Sequence, residues 1–159
     1  MRYLEGLTSV EDGYDRTGSR SPMQWDDSLN AGFGNSPKDM LYIVQDESGD
    51  RPTAAAQMAD KDSLWNEIKR LIAFRKQHTA LQSWGEIEFV CAEKNLYPLA
   101  YVRYDNSEKL LVVLNPSDKT VELRTEYEPK EVLYSLGSKL NAGKGALSLG
   151  ANSFGIFRV

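Results

Sequence analysis

The sequence predicts a mainly β protein: a C-terminal antiparallel β-sandwich of about seven strands, preceded by one amphipathic helix and a long irregular N-terminal segment. Short strand-like segments, separated by turn residues, recur from residue 84 onward. One stretch at about 62–77 carries apolar residues at helical spacing. Residues 1–60 show neither a two-residue nor a 3.6-residue period, and they are rich in glycine, proline and polar turn residues.

The irregular segment contains one compact motif, GSRSPMQWD, at residues 18–26. Pro22 fixes its own φ and pushes Ser21 toward extended backbone, so we expect a single backbone shape here. Arg20 then projects a fork of five donors that suits carboxylates and sugar hydroxyls. On chemistry alone, the segment is interpreted as a surface loop with Trp25 as a buried anchor.

The predicted helix has favourable ends and one apolar face. Asp60, Asp62 or Ser63 can cap its start, and Arg75 and Lys76 suit the negative end of its dipole. The apolar stripe, which we expect to pack on a neighbouring element, consists of Leu64, Trp65, Ile68, Leu71 and Ile72.

The strand segments follow one another at the spacing of an antiparallel sandwich. Leu110 to Leu114 is apolar on both faces, which indicates a central strand. Gly137 to Gly145 is interpreted as a loop. The predicted strands are Glu86–Cys91, Leu99–Tyr104, Lys109–Asn115, Thr120–Leu123, Glu131–Ser135, Ala146–Leu149 and Phe154–Val159.

Composition excludes several classes of function. The net charge is −4 and no basic patch stands out, so nucleic-acid binding is not expected. No apolar run approaches the ~20 residues that span a bilayer, so no membrane segment is expected. Cys91, the only cysteine, is expected to be a small core residue, and His78, the only histidine, a helix-end residue. Neither a metal site nor a cofactor is predicted.

The residues after position 19 resemble a block known from one enzyme family. RSPMQWD at residues 20–26 and NAGF at residues 30–33 are similar to the RTPMQW … NAGF block of the α-glucosidase and oligo-1,6-glucosidase branch of the α-amylase family, glycoside hydrolase family 13. The one departure within the first part is Ser21, which retains the hydroxyl of the usual threonine. With the helix and strands that follow, the resemblance covers essentially the whole chain.

This resemblance implies a domain organisation and an activity. Residues 1–82 would be the last loop and last helix of a TIM-barrel catalytic domain, and residues 83–159 its C-terminal all-β domain. The parent enzyme would be a retaining glycoside hydrolase that acts on α-glucosidic bonds of oligosaccharides. In the family, the arginine that matches Arg20 works with an upstream aspartate on the 4-hydroxyl of the terminal glucose, so Arg20 is the predicted substrate-binding residue.

No catalytic residue is assigned to this chain. Glycoside hydrolysis needs two carboxyl groups held at a fixed separation, and the clustered Asp12, Asp15, Asp26 and Asp27 lie on a segment without a visible scaffold. The resemblance implies that the catalytic carboxylates precede Met1. The 159-residue chain alone is therefore predicted to be inactive. Its implied partners are an α-glucoside oligosaccharide and the catalytic barrel, and the isolated chain is expected to self-associate through apolar surface.

Two alternatives stay open. The chain could be a stand-alone carbohydrate-binding β-sandwich module, or part of a trehalose synthase-like isomerase, which carries a very similar block. A module would use aromatic side chains as stacking platforms, whereas the strand spacing favours core or cross-strand packing for these rings. The aromatic residues concerned are Trp84, Tyr97, Tyr101, Tyr104, Tyr127 and Tyr134.

Overall fold

The computed structural model describes residues 20–94, 96–143 and 145–159. It also describes the backbone of two short strands that pair antiparallel, β1 (Val10–Glu11) and β2 (Tyr14–Asp15). The chain divides into two compact units, a first unit at Met1–Leu71 and a second unit at Ile72–Val159. Most of the regular structure is antiparallel sheet, which confirms the predicted mainly β class.

The first unit contains short helical elements. Two 3-10 turns, Leu29–Gly32 and Lys38–Met40, precede the helix α1 (Ala54–Ala59). Thr53 caps α1, because its side-chain oxygen accepts a hydrogen bond from the backbone N–H of Ala56 at 3.2 Å. The sequence did not predict α1, since six residues are too few to show a helical period.

Helix α2 spans Leu64–Gln77, within the stretch predicted to be helical. Ser63 is the residue that caps it, accepting from the backbone N–H of Asn66 at 3.3 Å. The expectation that the apolar stripe packs on a neighbour is not met. Every residue of α2 lies in the described part of the chain and none is buried. Leu64, at 72% exposure, is the most open of the stripe; Trp65, Ile68 and Ile72 are also exposed, and Leu71 alone is half-buried.

The second unit is a β-sandwich of two antiparallel sheets. In the described part of the chain its eight strands are β3 (Glu86–Cys91), β4 (Leu99–Tyr104), β5 (Lys109–Asn115), β6 (Val121–Arg124), β7 (Glu131–Gly137), β8 (Leu140–Gly143), β9 (Ala146–Leu149) and β10 (Ser153–Arg158). The larger sheet has the strand order β3-β4-β5-β10-β7, and the smaller has the order β6-β9-β8.

The centre of the larger sheet is formed by β5 and β10. Leu110, Leu111, Val112 and Val113 are buried on both faces of β5, which confirms the predicted central strand. β10 lies beside it and pairs with β7 on its other edge. The middle of the sheet therefore places the third strand of the sandwich beside the last described one.

Strand β8 corrects the interpretation of Gly137 to Gly145 as a loop. Four of these residues, Leu140–Gly143, pair with β9. Only Leu140 packs against the core, while Asn141, Ala142 and Gly143 are exposed, so β8 lacks the alternation that marks a strand in sequence.

One core fills the space between the sheets. Cys91 packs at its margin as a partly buried apolar residue, in the role expected from the sequence. Its buried members are Ala100, Val102, Leu111, Val113, Leu123, Leu147, Leu149 and Phe157.

A second apolar cluster lies on the opposite, outer face of the larger sheet. Leu110, Val112 and Ile156 are buried there beneath Ala80, with Phe74 and Leu81 packed against them. The same face continues uncovered onto the edge strands. Phe89 pairs with Tyr101 and is 63% exposed, and Leu136 pairs with Phe154 and is also exposed.

Arg103 fastens the connection between α2 and β3 to this outer face. Its Nε donates to the carbonyl oxygen of Ala80 at 3.1 Å. Its Nη2 donates to the carbonyl oxygens of Gln82 and Gly85 at 2.6 and 3.0 Å. A side chain at Gly85 would overlap the carbonyl oxygen of Ala80, so the connection requires glycine there.

Glu108 fastens the same connection from the β4–β5 turn. Its Oε2 lies 2.9 Å from Nδ1 of His78, and its Oε1 accepts from the backbone N–H of Ala80 at 3.1 Å. His78 directly follows α2, as expected, and its side chain and that of Glu108 are both largely buried. The histidine therefore links the helix end to the sheet.

Candidate functional site

Residues 20–33, the block singled out in the sequence, fold within the first unit into a loop closed by its own backbone. The N–H groups of Trp25 and Asp26 donate to the carbonyl oxygen of Ala31 at 2.8 and 3.3 Å. The N–H of Ala31 in turn donates to the carbonyl oxygen of Ser28 at 2.9 Å. The two halves of the family block, around Trp25 and around Ala31, are thus one structural element.

The loop is also joined to the start of α1. The carbonyl oxygens of Gln24 and Trp25 accept from the N–H groups of Ala54 and Ala55 at 2.9 and 2.8 Å. The first N–H groups of a helix lack partners within the helix, so these contacts satisfy two of them. The side-chain Nε2 of Gln24 donates to the carbonyl oxygen of Pro52 at 3.0 Å. A glutamine at this position ties the loop to the segment before α1.

Three consecutive residues of the loop adopt left-handed backbone. Asn30, Ala31 and Gly32 have φ values of 51°, 53° and 72°. Asparagine and glycine tolerate this region better than other residues, whereas alanine adopts it at a steric cost. A Cβ at Gly32 would lie 2.9 Å from Oδ1 of Asp26, which further restricts that position to glycine. Asn30 and Gly32 therefore suit this backbone, while Ala31 is held in a conformation that alanine rarely adopts.

Side chains hold the left-handed turn closed. Nδ2 of the buried Asn30 donates to the carbonyl oxygens of Gly34 and Ser36 at 3.0 and 2.7 Å. The Asp26 carboxylate accepts from the hydroxyl of Ser28 and from its backbone N–H at 2.8 Å, and these bonds lower the pKa of the carboxyl. Asp26 thus takes part in the loop structure.

The expectation that Trp25 is a buried anchor is wrong. Its side chain is 51% exposed, whereas Asn30 and Ala31 are the buried residues of the loop. The reason is that Trp25 is fixed through its backbone N–H and C=O, so its ring is not needed to hold the loop.

Arg20, the predicted substrate-binding residue, is an exposed residue of the first unit. Its guanidinium carbon Cζ lies 5.9 Å from the centre of the Tyr42 ring, over the face of that ring. This distance is within the range of a cation–π contact. The sequence analysis gave Tyr42 no role. The available signal was an aromatic residue between two aliphatic ones, Leu41 and Ile43, in an otherwise irregular segment.

A cavity of about 330 Å³ also lies in the first unit, beside the left-handed turn. Ion pairs form between Lys38 and Glu47, 2.7 Å apart, and between Arg51 and Asp27, 3.8 Å apart. Both acids and both bases line the cavity. It offers donors and acceptors of either charge, with no excess of one sign.

Of the four clustered aspartates, the structure describes the side chains of Asp26 and Asp27. The Asp27 side chain is almost fully exposed and faces Arg51. The side chains of Asp12 and Asp15 lie outside the described residues. Across residues 20–94, 96–143 and 145–159, no three His, Cys, Asp or Glu side chains are grouped as metal ligands. Nor does a helix in those ranges have the length and apolarity to cross a membrane.

The strand aromatics in the second unit are mostly packed, as the sequence favoured. Tyr101 contacts Phe89 across strands with ring centres 6.1 Å apart, and Tyr134 contacts Phe154 at the same distance. The exceptions are Trp84, at 70% exposure, and the half-exposed Tyr97.

The rings of Tyr104 and Tyr127 both make cation–π contacts with Lys109. Nζ of Lys109 lies 5.3 Å from the centre of each ring. The Tyr127 hydroxyl donates to Oε1 of Glu88 at 2.7 Å, and this bond raises the pKa of Tyr127 to about 12. These two rings are engaged within the protein, so neither is an open platform for a sugar.

Comparison with known proteins matches both the loop and the sandwich. The family model "Alpha amylase, catalytic domain" matches residues 4–84. Oligo-1,6-glucosidase from Parageobacillus thermoglucosidasius is 34% identical over 125 residues, which are 76% of this chain and 21% of that protein. Trehalose synthase from Thermus thermophilus is 29% identical over 153 residues, which are 90% of this chain and 16% of that protein.

A solved structure shows the same fold. Trehalulose synthase MutB from Pseudomonas mesoacidophila MX-45 superposes with a TM-score of 0.75 at 27% identity, over 91% of this chain and 26% of that one. The chain thus spans about a fifth of the length of the curated relatives it matches, and about a quarter of the length of this solved structure. With the family block, the catalytic-domain match and the shared fold together, the chain belongs to the α-amylase family, glycoside hydrolase family 13.

Proposed function

We propose that this chain is the C-terminal part of a retaining enzyme that acts on α-glucosidic bonds of oligosaccharides. In that enzyme it completes the sugar pocket with Arg20 and stabilises the barrel, while the catalytic carboxylates lie elsewhere. The observation that carries the proposal is the loop at residues 20–33. Its two motifs close on each other through Ala31, and it presents Arg20 from a segment that the catalytic-domain model of the family matches.

The exposed apolar surfaces of each unit support the proposal that the chain is part of a larger enzyme. The α2 stripe exposes Leu64, Trp65 and Ile68, and the outer face of the larger sheet exposes Ile87 and Phe89. Contiguous exposed apolar residues on a soluble protein usually mark an interaction surface. We propose that the remainder of the barrel covers these surfaces. In the isolated chain they would favour self-association.

The proposed boundary lies between residues 82 and 83. Residues 1–82 are then the last loop and helix of the barrel, and residues 83–159 are the C-terminal β-domain. The family match to the catalytic domain ends at residue 84, and β3 begins at Glu86, both of which support a boundary here.

We expect the purified 159-residue chain to be inactive on maltose, isomaltose and aryl α-glucosides, because we propose that the two catalytic carboxyl groups lie elsewhere in the parent enzyme. The measurement is release of glucose or of the aryl group at high protein concentration. Turnover that survives purification to homogeneity and is lost in Asp26→Asn or Asp27→Asn would contradict the proposal.

An isomerase is the second candidate for the parent enzyme. Two relatives support it, since trehalose synthase covers 90% of this chain and trehalulose synthase 91%. The products distinguish the two activities. With maltose, the complete enzyme would release glucose as a hydrolase, and would form trehalose as a trehalose synthase-like isomerase. A stand-alone carbohydrate-binding module would do neither, and it has no use for the loop at residues 20–33.

Replacing Arg20 tests the pocket. In the complete enzyme, Arg20→Ala or Arg20→Lys is expected to lower kcat/KM at least about tenfold, which corresponds to about 1.4 kcal/mol. The reason is that neither substitute offers the planar fork of donors that selects one hydroxyl geometry. Steady-state kinetics on an α-glucoside give the ratio, and the thermal midpoint should change little. Arg124→Ala, at an exposed arginine on β6, serves as the control and should leave kcat/KM unchanged. If Arg20→Ala retained the parental kcat/KM, the proposed role of Arg20 would be wrong.

The DNA that precedes codon 1 provides an independent test. An open frame that encodes a barrel, which alone needs about 250 residues, would support the proposal. A stop codon and a translation start that make Met1 the mature N-terminus would favour the stand-alone module.

A further inference from the structure

The position of Tyr42 is fixed by its neighbours in the first unit. It follows the 3-10 turn Lys38–Met40 and precedes Ile43, which is buried. Two residues later, Nε2 of Gln45 donates to the carbonyl oxygen of Asn30 at 3.0 Å. The segment that carries Tyr42 is therefore bonded to the left-handed turn on one side.

The same turn is bonded to the segment that carries Arg20. The carbonyl oxygen of Ala31 accepts from Trp25 and Asp26, and Pro22 restricts the backbone between Trp25 and Arg20. The Tyr42 ring and the Arg20 backbone are thus tied to one common element. The ring itself is 53% exposed, so its burial contributes little to the stability of the fold. Its fixed position matters instead for the Arg20 guanidinium, which lies over its face.

We infer that Tyr42 is a positioning residue for Arg20: its ring holds the guanidinium in the orientation that recognises the sugar, an inference that rests on the proposed function. Arginine has four flexible side-chain torsions, and ordering them at the moment of binding reduces affinity. A guanidinium over an aromatic face is attracted electrostatically at no cost to the donors in its own plane. Tyr42 would act through Arg20 alone, and we assign it no contact with substrate.

Substitutions at Tyr42 in the complete enzyme test the inference. Tyr42→Leu removes the π face and is expected to lower kcat/KM about two- to fivefold, the range of an exposed cation–π contact. Tyr42→Phe and Tyr42→Trp retain a face and should retain kcat/KM. Met40→Leu changes another exposed apolar side chain of the same segment and serves as the matched control, with no expected change.

A double-mutant cycle separates positioning from a merely structural role. If Tyr42 acts through Arg20, then adding Tyr42→Leu to Arg20→Ala should cause no further loss of kcat/KM. Additive losses, or a loss in Tyr42→Trp enzyme whose thermal midpoint is unchanged, would overturn the inference. An Arg20→Ala effect without a Tyr42→Leu effect would reject the role of Tyr42 and leave the proposed function standing. Absence of an effect in Arg20→Ala would reject the proposed function itself.

Discussion

Replacing Asn115 with aspartate is expected to lower the free energy of unfolding by about 3–5 kcal/mol, the cost of an uncompensated buried charge. Asn115 is 1% exposed, at the end of β5. Its Nδ2 donates to the carbonyl oxygens of Lys119 and Gly150, each at 2.8 Å, and of Leu149 at 3.2 Å. Aspartate places a negative oxygen against these three acceptors in the position of the donor.

The Asn115→Asp variant should also be pH-dependent. Burial and the facing carbonyls raise the pKa of the new carboxyl in the folded state above its unfolded value. The neutral form is then favoured by folding, so stability is highest below the unfolded pKa of about 3.9 and falls as pH rises through the folded pKa. Urea unfolding at pH 4 and pH 7 measures the difference. Asn106→Asp, in the exposed β4–β5 turn, is the matched control. A pH-independent loss in Asn115→Asp would contradict the account.

Replacing Arg103 with alanine is expected to cost about 2–3 kcal/mol, since its three bonds to carbonyl oxygens of the α2–β3 connection are lost. The carbonyl oxygens of Ala80 and Gln82 would be left with fewer partners beneath a partly buried surface. Arg103→Lys should not restore the loss, because a single ammonium cannot reproduce the planar fork. Denaturant unfolding of the isolated chain gives the comparison.

The control for Arg103 is another arginine of the same sheet. Nε of Arg158, on β10, lies 3.3 Å from Oε2 of Glu131, and both side chains are about half exposed. Exposed pairs of this kind contribute little, so Arg158→Ala should change stability by less than about 0.5 kcal/mol. Equal losses in Arg103→Ala and Arg158→Ala would show that removal of charge, and not the fork, determines the effect.

Local pattern was enough to predict much of the second unit. Leu99–Tyr104, Lys109–Asn115 and Ala146–Leu149 are strands with the boundaries that the sequence predicts. Each combines β-branched, aromatic or leucine residues with a clear turn beside it. Helix α2 was equally predictable from the sequence, because fourteen residues give several repeats of its apolar period.

What the sequence could not predict depends on contacts between distant segments. β8 is a strand because β9 pairs with it, and the exposed Trp25 stays at the surface because Ala31 and Ala55 hold its backbone. The contact of Tyr42 with Arg20 joins residues that no period connects. The left-handed turn is the exception, since the Asn-Ala-Gly order does contain a local preference for positive φ that could have been recognised.

The place of β10 in the larger sheet has a consequence for biosynthesis. β5 and β7 are synthesised well before β10 at residues 153–158, yet β10 lies between those two strands in the sheet. Until residue 158 has left the exit tunnel, neither β5 nor β7 can complete its pairing with β10. Because translation proceeds at about 5–20 residues per second, the nascent chain exposes the unpaired edges of these apolar strands for a second or more. During that interval chaperones, or strands of neighbouring nascent chains, compete with β10 for the central position.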